Sequence, residues 1–311
     1  MNESLKRLLE SLGISWVWWQ WRWRNFKGRV AYAFCADSNV ARRLRTTQKV
    51  CRCGALAAGD QRKCEVCGRS LPSSFAWFLY RVFGLVMPGM AVTTGVLSGL
   101  IFLGFGATIL QGGWLSLLAP PPELLVRMGA LYSPAVFAGE WWRLLTCMFL
   151  HIGIIHLGFN TMALLSVSTF LEEEIGSSRY FCVFLLTGLG GSLATLFLRP
   201  YPVVVAGASG ALFGLIGFSI AYFHRLKSAR GRDVKAFMVR WAIYGFVFGL
   251  LVGADNLAHL GGLATGMILG ALVEQREEIR RRREGVWRVA TVALAGLLAI
   301  ACAMALRSAL I

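Results

Sequence analysis

Gly207-Ala208-Ser209-Gly210, with Phe213, Gly214 and Gly217 close behind, opens an apolar segment that runs to about Tyr222. It follows a turn rich in proline and tyrosine, Arg199-Pro200-Tyr201-Pro202. A serine flanked by glycines at the first turn of an apolar helix has three physical assets. The missing side chains let another backbone approach closely. The unpaired N–H groups and the positive end of the helix dipole favour developing negative charge. The hydroxyl sits near the water boundary, where a base can meet it. Small residues at such a position also serve simply to pack helices, so the reading depends on what the rest of the chain supplies.

The surroundings of this segment are those of a membrane protein. Of 311 residues, 56% are hydrophobic and 15% charged, with a mean hydropathy of +0.59. Apolar runs long enough to cross a bilayer are expected at about 90–110, 144–170, 180–198, 206–223, 236–253, 257–273 and 287–306, giving an all-α polytopic membrane protein with seven spans. The formal charge of +16 favours orientation signals and anionic headgroups over nucleic acid, because the basic residues gather in alternate loops. They are dense before the first span, at Arg225, Lys227, Arg230 and Arg232, and again at Arg276 and Arg280 to Arg283. The loops at 111–143, 199–205 and 254–256 carry few. The expected orientation is N-terminus in the cytoplasm and C-terminus outside, without a cleaved signal peptide. The 111–143 loop, with Trp114, Pro120 to Pro122, Trp141, Trp142 and Arg143, suits a structure lying in the interface.

The polar residues inside the spans cluster. His151, His156 and His259, with Ser209, fall toward the outer ends of the second, fourth and sixth spans, while His224 lies beside Arg225 at the opposite end of the fourth. Polar groups in membrane spans are costly and usually functional. His156 and Asn160 are four apart on one helical face. His259, Gly262 and Gly266 make one face of the sixth span, Gly210 and Gly214 one of the fourth, so the two helices can close together and bring Ser209 to His259. Phe213, one turn below Ser209, is then placed to pack on the imidazole. The chemistry implied is nucleophilic catalysis by a two-residue set, with His259 taking the Ser209 proton and returning it to the leaving amine. His156, Asn160 and the Ser209 backbone N–H can supply the donors that a tetrahedral oxyanion needs. No acidic residue is well placed as a third member, and Asp255 is read as structural. No cofactor is required for this chemistry.

His151-Ile-Gly-Ile-Ile-His156-Leu-Gly-Phe-Asn160, Gly207-Ala-Ser209-Gly210 and Ala258-His259-Leu-Gly261-Gly262 resemble the three signatures of the rhomboid intramembrane serine proteases, in the family order and on the second, fourth and sixth spans. Trp142-Arg143 resembles that family's loop motif before the second span. The resemblance covers roughly 90–274 and implies a rhomboid-like six-helix bundle (81–274), followed by a basic linker and a seventh span (275–311). It also implies Ser209 and His259 as the catalytic pair, an oxyanion hole of His156, Asn160 and Ser209, and supporting roles for His151, Phe213, Gly207, Gly210, Trp142 and Arg143. Phe213 stands where many relatives place tyrosine. The implied partners are the lipid bilayer and single-span protein substrates cut near the outer boundary of a bacterial inner membrane, with the site opening outward. Two other classes stand beside this one. A non-proteolytic relative would lack the serine or the histidine, and a transporter would carry polar groups through the whole membrane depth.

Residues 1–80 lie outside that resemblance. Cys51-Arg52-Cys53-Gly54 and Cys64-Glu65-Val66-Cys67-Gly68 resemble a zinc ribbon, with Gly68 permitting the tight turn, and a structural zinc on Cys51, Cys53, Cys64 and Cys67 is expected for a small cytosolic domain. Trp16, Trp18, Trp19, Trp21 and Trp23, interleaved with Arg22, Arg24, Lys27 and Arg29, suit a membrane-surface segment or the apolar staple of that domain, with base stacking a weaker third reading. Cys147, Cys182 and Cys302 read as small packing residues.

Overall fold

The structure is a computed structural model, and residues 49–50, 56–57, 61–68 and 92–310 are described. The chain divides into two units, residues 1–88 and 89–311. In the first, β1 (Lys49–Val50) pairs antiparallel with β2 (Leu56–Ala57). Cys64 and Cys67 share one turn, closed by the Gly68 N–H on the Cys64 carbonyl at 2.8 Å, with Gly68 at φ 69°. Cys51, Cys53 and the tryptophan-rich stretch lie outside the described residues.

The second unit is helical. Its long helices are α1 (Val92–Gly112), α5 (Ile154–Ile175), α6 (Ser177–Leu198), α7 (Ser209–Arg225), α8 (Ala229–Val252), α9 (Asn256–Leu272) and α11 (Glu284–Leu310). Between α1 and α5 come short α2 (Pro122–Arg127), α3 (Ser133–Phe137) and α4 (Arg143–Thr146), and α10 (Glu277–Arg282) precedes α11. Among the described residues, five helices are long and apolar enough to cross a membrane: α1, α5, α6, α8 and the stretch Glu284–Ala309 of α11. Helices α7 and α9 have 17 residues each.

Helix α7 is the axis of the bundle. Every residue from Gly210 to Ser219 is buried, so it is apolar all round, as a core helix must be. It meets α9 backbone to backbone. A Cβ on Gly262 would lie 1.9 Å from the Gly210 carbonyl oxygen, one on Gly266 1.9 Å from that of Gly214, and one on Gly270 2.3 Å from that of Phe218. Glycine every fourth residue on α9 thus gives the contact that larger side chains forbid. At the far end, Arg225 donates to the Gly270 and Val273 carbonyls at 3.2 and 2.8 Å, placing a cation on the unpaired C-terminal carbonyls of α9.

Two differences from the sequence expectation matter. The expected span at 144–170 is broken. Residues 143–149 form α4 and a 3-10 turn, and the helix starts only at Ile154, after Gly153 at φ 119°. A Cβ on Gly153 would meet the Leu118 carbonyl oxygen at 2.1 Å, so the interfacial loop packs directly on the break. The stretch between the expected spans at 144–170 and 180–198 is helical on both sides of Gly176, and Glu172 in it is buried. Its carboxylate accepts from the Thr93 and Thr94 N–H groups at 2.9 Å each, and from the Thr94 and Ser177 hydroxyls at 2.7 Å each. One acid therefore caps the first turn of α1 and ties it to the start of α6 through the Ser177 hydroxyl. Glu172→Ala should cost about 3 kcal/mol by stranding these buried donors, read as a lowered midpoint of thermal unfolding in detergent.

The last helix, α11, buries the stripe Leu298, Ala301 and Ala305. It is tied to α6 by the Arg179–Glu284 ion pair at 2.8 Å and by the Thr291 hydroxyl on the Ser178 carbonyl at 3.1 Å.

Candidate active site

The chain is delivered to Ser209 under tight constraint. Strand β4 (Val204–Val205) pairs antiparallel with β3 (Leu131–Tyr132) of the interfacial loop. The Gly207 N–H then donates to the Cys147 carbonyl at 2.9 Å. Gly207 sits at φ 142°, in the region that favours glycine. The space a side chain would need there is filled, since a Cβ would lie 2.6 Å from His156 Cε1 and 3.0 Å from its Nε2. Ser209 follows as the first residue of α7, where its backbone N–H has no helical partner.

The expected meeting of α7 and α9 is present. Ser209 Oγ and His259 Nε2 are 3.0 Å apart. Phe213 stacks on the imidazole with ring centroids 4.2 Å apart and planes 9° from parallel. Gly210 gives close approach to α9 and α6: its Cβ would sit 3.5 Å from the Ala258 carbonyl oxygen and 3.8 Å from Gly191 Cα. Helix α8 covers the pair with bare backbone. A Cβ on Gly245 would be 2.9 Å from the Phe213 ring, and one on Gly249 would be 2.6 Å from Asn256 Oδ1 and 3.3 Å from His259 Cε1.

The α5 residues divide. His156 lies over Gly207, in the space a side chain there would need. His151 is not in the helix as expected but in the break before it, fully buried, its ring centroid 5.2 Å from that of His156. The Asn160 amide is buried and spends one N–H on the His156 carbonyl at 2.9 Å, which leaves a second N–H on the same nitrogen. Arg143 is almost wholly buried and ties the interfacial loop together. It pairs with Glu140, donates to the Val126 carbonyl, and donates to the Ala130 carbonyl at 3.0 Å. Trp142 packs edge-on against Trp141 in the same loop. Both act through the loop that carries β3 to β4.

Asp255 has the structural role expected of it. It caps α9 by accepting from the Leu257 N–H at 3.2 Å, pairs with Arg199 at 2.8 Å, and accepts from the Thr195 hydroxyl. Burial alone would lower the Arg199 pKa, but Asp255 and the Tyr201 hydroxyl outweigh it and raise the value, so the cation is permanent. The residue the sequence reading missed is Asn256, whose Oδ1 lies 2.8 Å from His259 Nδ1. Its spacing from His259, three residues along a helix, was the available signal.

Comparison with known proteins gives the family. The sequence profile of the Rhomboid domain matches residues 138–276. Rhomboid protease GluP of Bacillus subtilis (strain 168) is 41% identical over 150 residues, which are 48% of this chain and 29% of that protein. RHOMBOID-like protein 4 of Arabidopsis thaliana is 40% identical over 158 residues, 50% of this chain and 40% of that one. The chain thus spans less than half the length of these two relatives. It spans more of the rhomboid protease homologue YdcA of Bacillus subtilis (strain 168), 33% identical over 150 residues that make up 75% of that protein. The matched region contains α5, α7 and α9 with every polar residue of the site, and on these grounds the chain belongs to the rhomboid family.

Proposed function

We propose that the chain is an intramembrane serine endopeptidase that hydrolyses peptide bonds in or near the membrane spans of other proteins. The observation that carries this reading is the 3.0 Å contact between Ser209 Oγ and His259 Nε2, with Phe213 stacked on the imidazole.

In the proposed reaction the Ser209 proton passes to His259 Nε2 as Oγ bonds to the scissile carbonyl carbon, and the carbonyl electron pair moves onto oxygen. The oxyanion forms beside the Ser209 N–H, the His156 ring and the second N–H of Asn160, donors held in place before reaction. Collapse breaks the C–N bond, and the leaving amine takes the proton from His259. Water then gives a proton to His259 and attacks the acyl carbon, and the ester C–O bond breaks as Ser209 recovers its proton. No metal or cofactor takes part in these steps. A helical substrate buries its carbonyls in the i to i−4 ladder, so local unwinding is required, which favours helix-breaking substrates with a small residue at the cut.

The wider reading is a six-helix bundle plus a seventh span, in a bacterial inner membrane, with the N-terminus in the cytoplasm and the site open to the outside. His151, His156, His259 and Ser209 gather at the N-terminal ends of α5, α7 and α9, while His224 stands at the other end of α7; this supports a site at one face and disfavours a transport path through the membrane. The N-terminal unit is proposed to hold a structural zinc through Cys51, Cys53, Cys64 and Cys67, supported by the shared turn of Cys64 and Cys67. The test is cleavage of a single-span substrate co-reconstituted in liposomes. Wild type should cut it and Ser209→Ala should fall to background, whereas unchanged cleavage would overturn the nucleophile assignment.

A further inference from the structure

A histidine base is only as good as the nitrogen left without a proton. Neutral imidazole carries one N–H, on Nδ1 or on Nε2, and the ring alone does not decide which. If the proton sat on Nε2, it would point at Ser209 Oγ and no acceptor would remain for the serine proton. Something outside the ring must hold the proton on Nδ1.

The atom in position to do this is Asn256 Oδ1, 2.8 Å from His259 Nδ1. An amide oxygen accepts and cannot donate, so a hydrogen bond here requires the proton on Nδ1. Were the amide turned over, its NH2 would face Nδ1 and drive the proton to Nε2. The orientation of one uncharged side chain therefore selects between a ring that can accept from Ser209 and one that cannot.

Asn256 is held from three directions. It is the first residue of α9, directly after Asp255, whose carboxylate is gripped by Arg199, Thr195 and the Leu257 N–H. From α8, Gly249 leaves the space that the amide occupies, since a Cβ would come within 2.6 Å of Oδ1. The His259 ring cannot tilt away, because Phe213 from α7 lies flat on it, admitted in turn by Gly245. The other charged or titratable groups facing His259 are Asp255, on its own helix start, and His156, from α5. Neither is a hydrogen-bond partner of Nδ1.

We propose that Asn256 is a positioning residue, whose side-chain oxygen keeps the His259 proton on Nδ1 so that Nε2 always faces Ser209 as an acceptor. The proposal rests on the reading of Ser209 and His259 as nucleophile and base, and it explains how the pair works without an acidic third member. An amide orients the ring without adding charge, and a carboxylate at the same place would keep the acceptor.

The test is nitrogen-15 NMR of the full chain, labelled at histidine and reconstituted in lipid at pH 8, where only four histidines need assigning. Wild type should show His259 as the Nδ1–H tautomer. Asn256→Leu, which fills a similar volume without an acceptor, should show a mixture or the other tautomer. Its kcat should fall about 10- to 100-fold, a fraction of what a general base supplies, with KM little changed. Asn256→Asp should restore the Nδ1–H tautomer and most of the rate. Gly249→Ala, which pushes the amide aside from α8, should reproduce the Leu result with the Asn256 side chain still present, and so covers the case in which Asn256→Leu fails to fold. An Nε2–H tautomer in wild type, or an unchanged tautomer and kcat in both Asn256→Leu and Gly249→Ala, would overturn the proposal. The tautomer of the resting protein reports on Asn256 alone, whereas cleavage by Ser209→Ala reports on the protease reading alone, so the two can fail separately.

Discussion

His259→Ala is expected to lower kcat for cleavage of a membrane-embedded peptide bond by about 10²- to 10⁴-fold, the range a positioned general base supplies. Among the described residues, His259 Nε2 is the basic atom hydrogen-bonded to Ser209 Oγ. A serine hydroxyl without such a base is a weak nucleophile at neutral pH. The imidazole lies under Phe213 and behind α8, where its role is toward the serine and not toward a bound substrate. KM should therefore stay within a few-fold of wild type while kcat falls. Kinetics on a single-span substrate in liposomes measures both. Equal kcat in the variant would mean that the 3.0 Å contact is a packing hydrogen bond.

The second large effect is expected from a residue with no polar atom in its side chain. Gly262→Ala adds one methyl group at a point where the Gly210 carbonyl oxygen is already 1.9 Å away. A real Cβ essentially never comes within 3.0 Å of such an atom, so α7 and α9 must separate by on the order of 1 Å. That costs about 1–3 kcal/mol in strain. It also lengthens the contact between Ser209, one residue from Gly210, and His259, three residues from Gly262. A displacement of 1 Å in a reacting pair can cost about 100-fold in rate. Gly262→Ala should thus lose both thermal stability and cleavage rate. Gly296→Ala, on α11, is the control: nothing lies within 4 Å of its Cβ position, and replacing a helical glycine by alanine there should be neutral or stabilising by up to about 1 kcal/mol.

Those two effects show what was legible in the sequence. The small-residue faces of α7 and α9 repeat every four residues, and a repeat of that period can be read as a helix contact without coordinates. The apolar runs located the long helices to within a few residues at most ends. Helix α8 begins earlier than hydropathy alone indicates, at Ala229, because Ser228 caps it by accepting from the Gly231 N–H at 3.0 Å. The charges Arg230, Arg232, Asp233 and Lys235 are therefore helical. The break at 150–153 was hidden because the residues before it are as apolar as a span. What stops the helix is the Leu118 carbonyl packed on Gly153, a contact between segments far apart in sequence. Glu172 was hidden for the same reason. Nothing local distinguishes it from Glu173 and Glu174, and its partners Thr93 and Thr94 lie some eighty residues earlier.

In the site, residue type and order were enough to single out Ser209, His259 and His156. Asn256 was not singled out because an amide is an unremarkable neighbour for a helix start, and its value depends on which way the imidazole is turned. That is decided by Phe213 and α8 and not by the local sequence. Asp255 was legible as structural because it stands one turn before His259, toward the loop at 254–256; the structure adds that it caps α9.

Covalent labelling of the resting protein tests the central claim most directly. A fluorophosphonate reacts with a serine hydroxyl only when a base has activated it. Mass spectrometry of the labelled chain should find one modified residue, Ser209, with labelling abolished in Ser209→Ala and strongly slowed in His259→Ala. Labelling at another serine, or at Ser209 with the same rate in His259→Ala, would contradict the account.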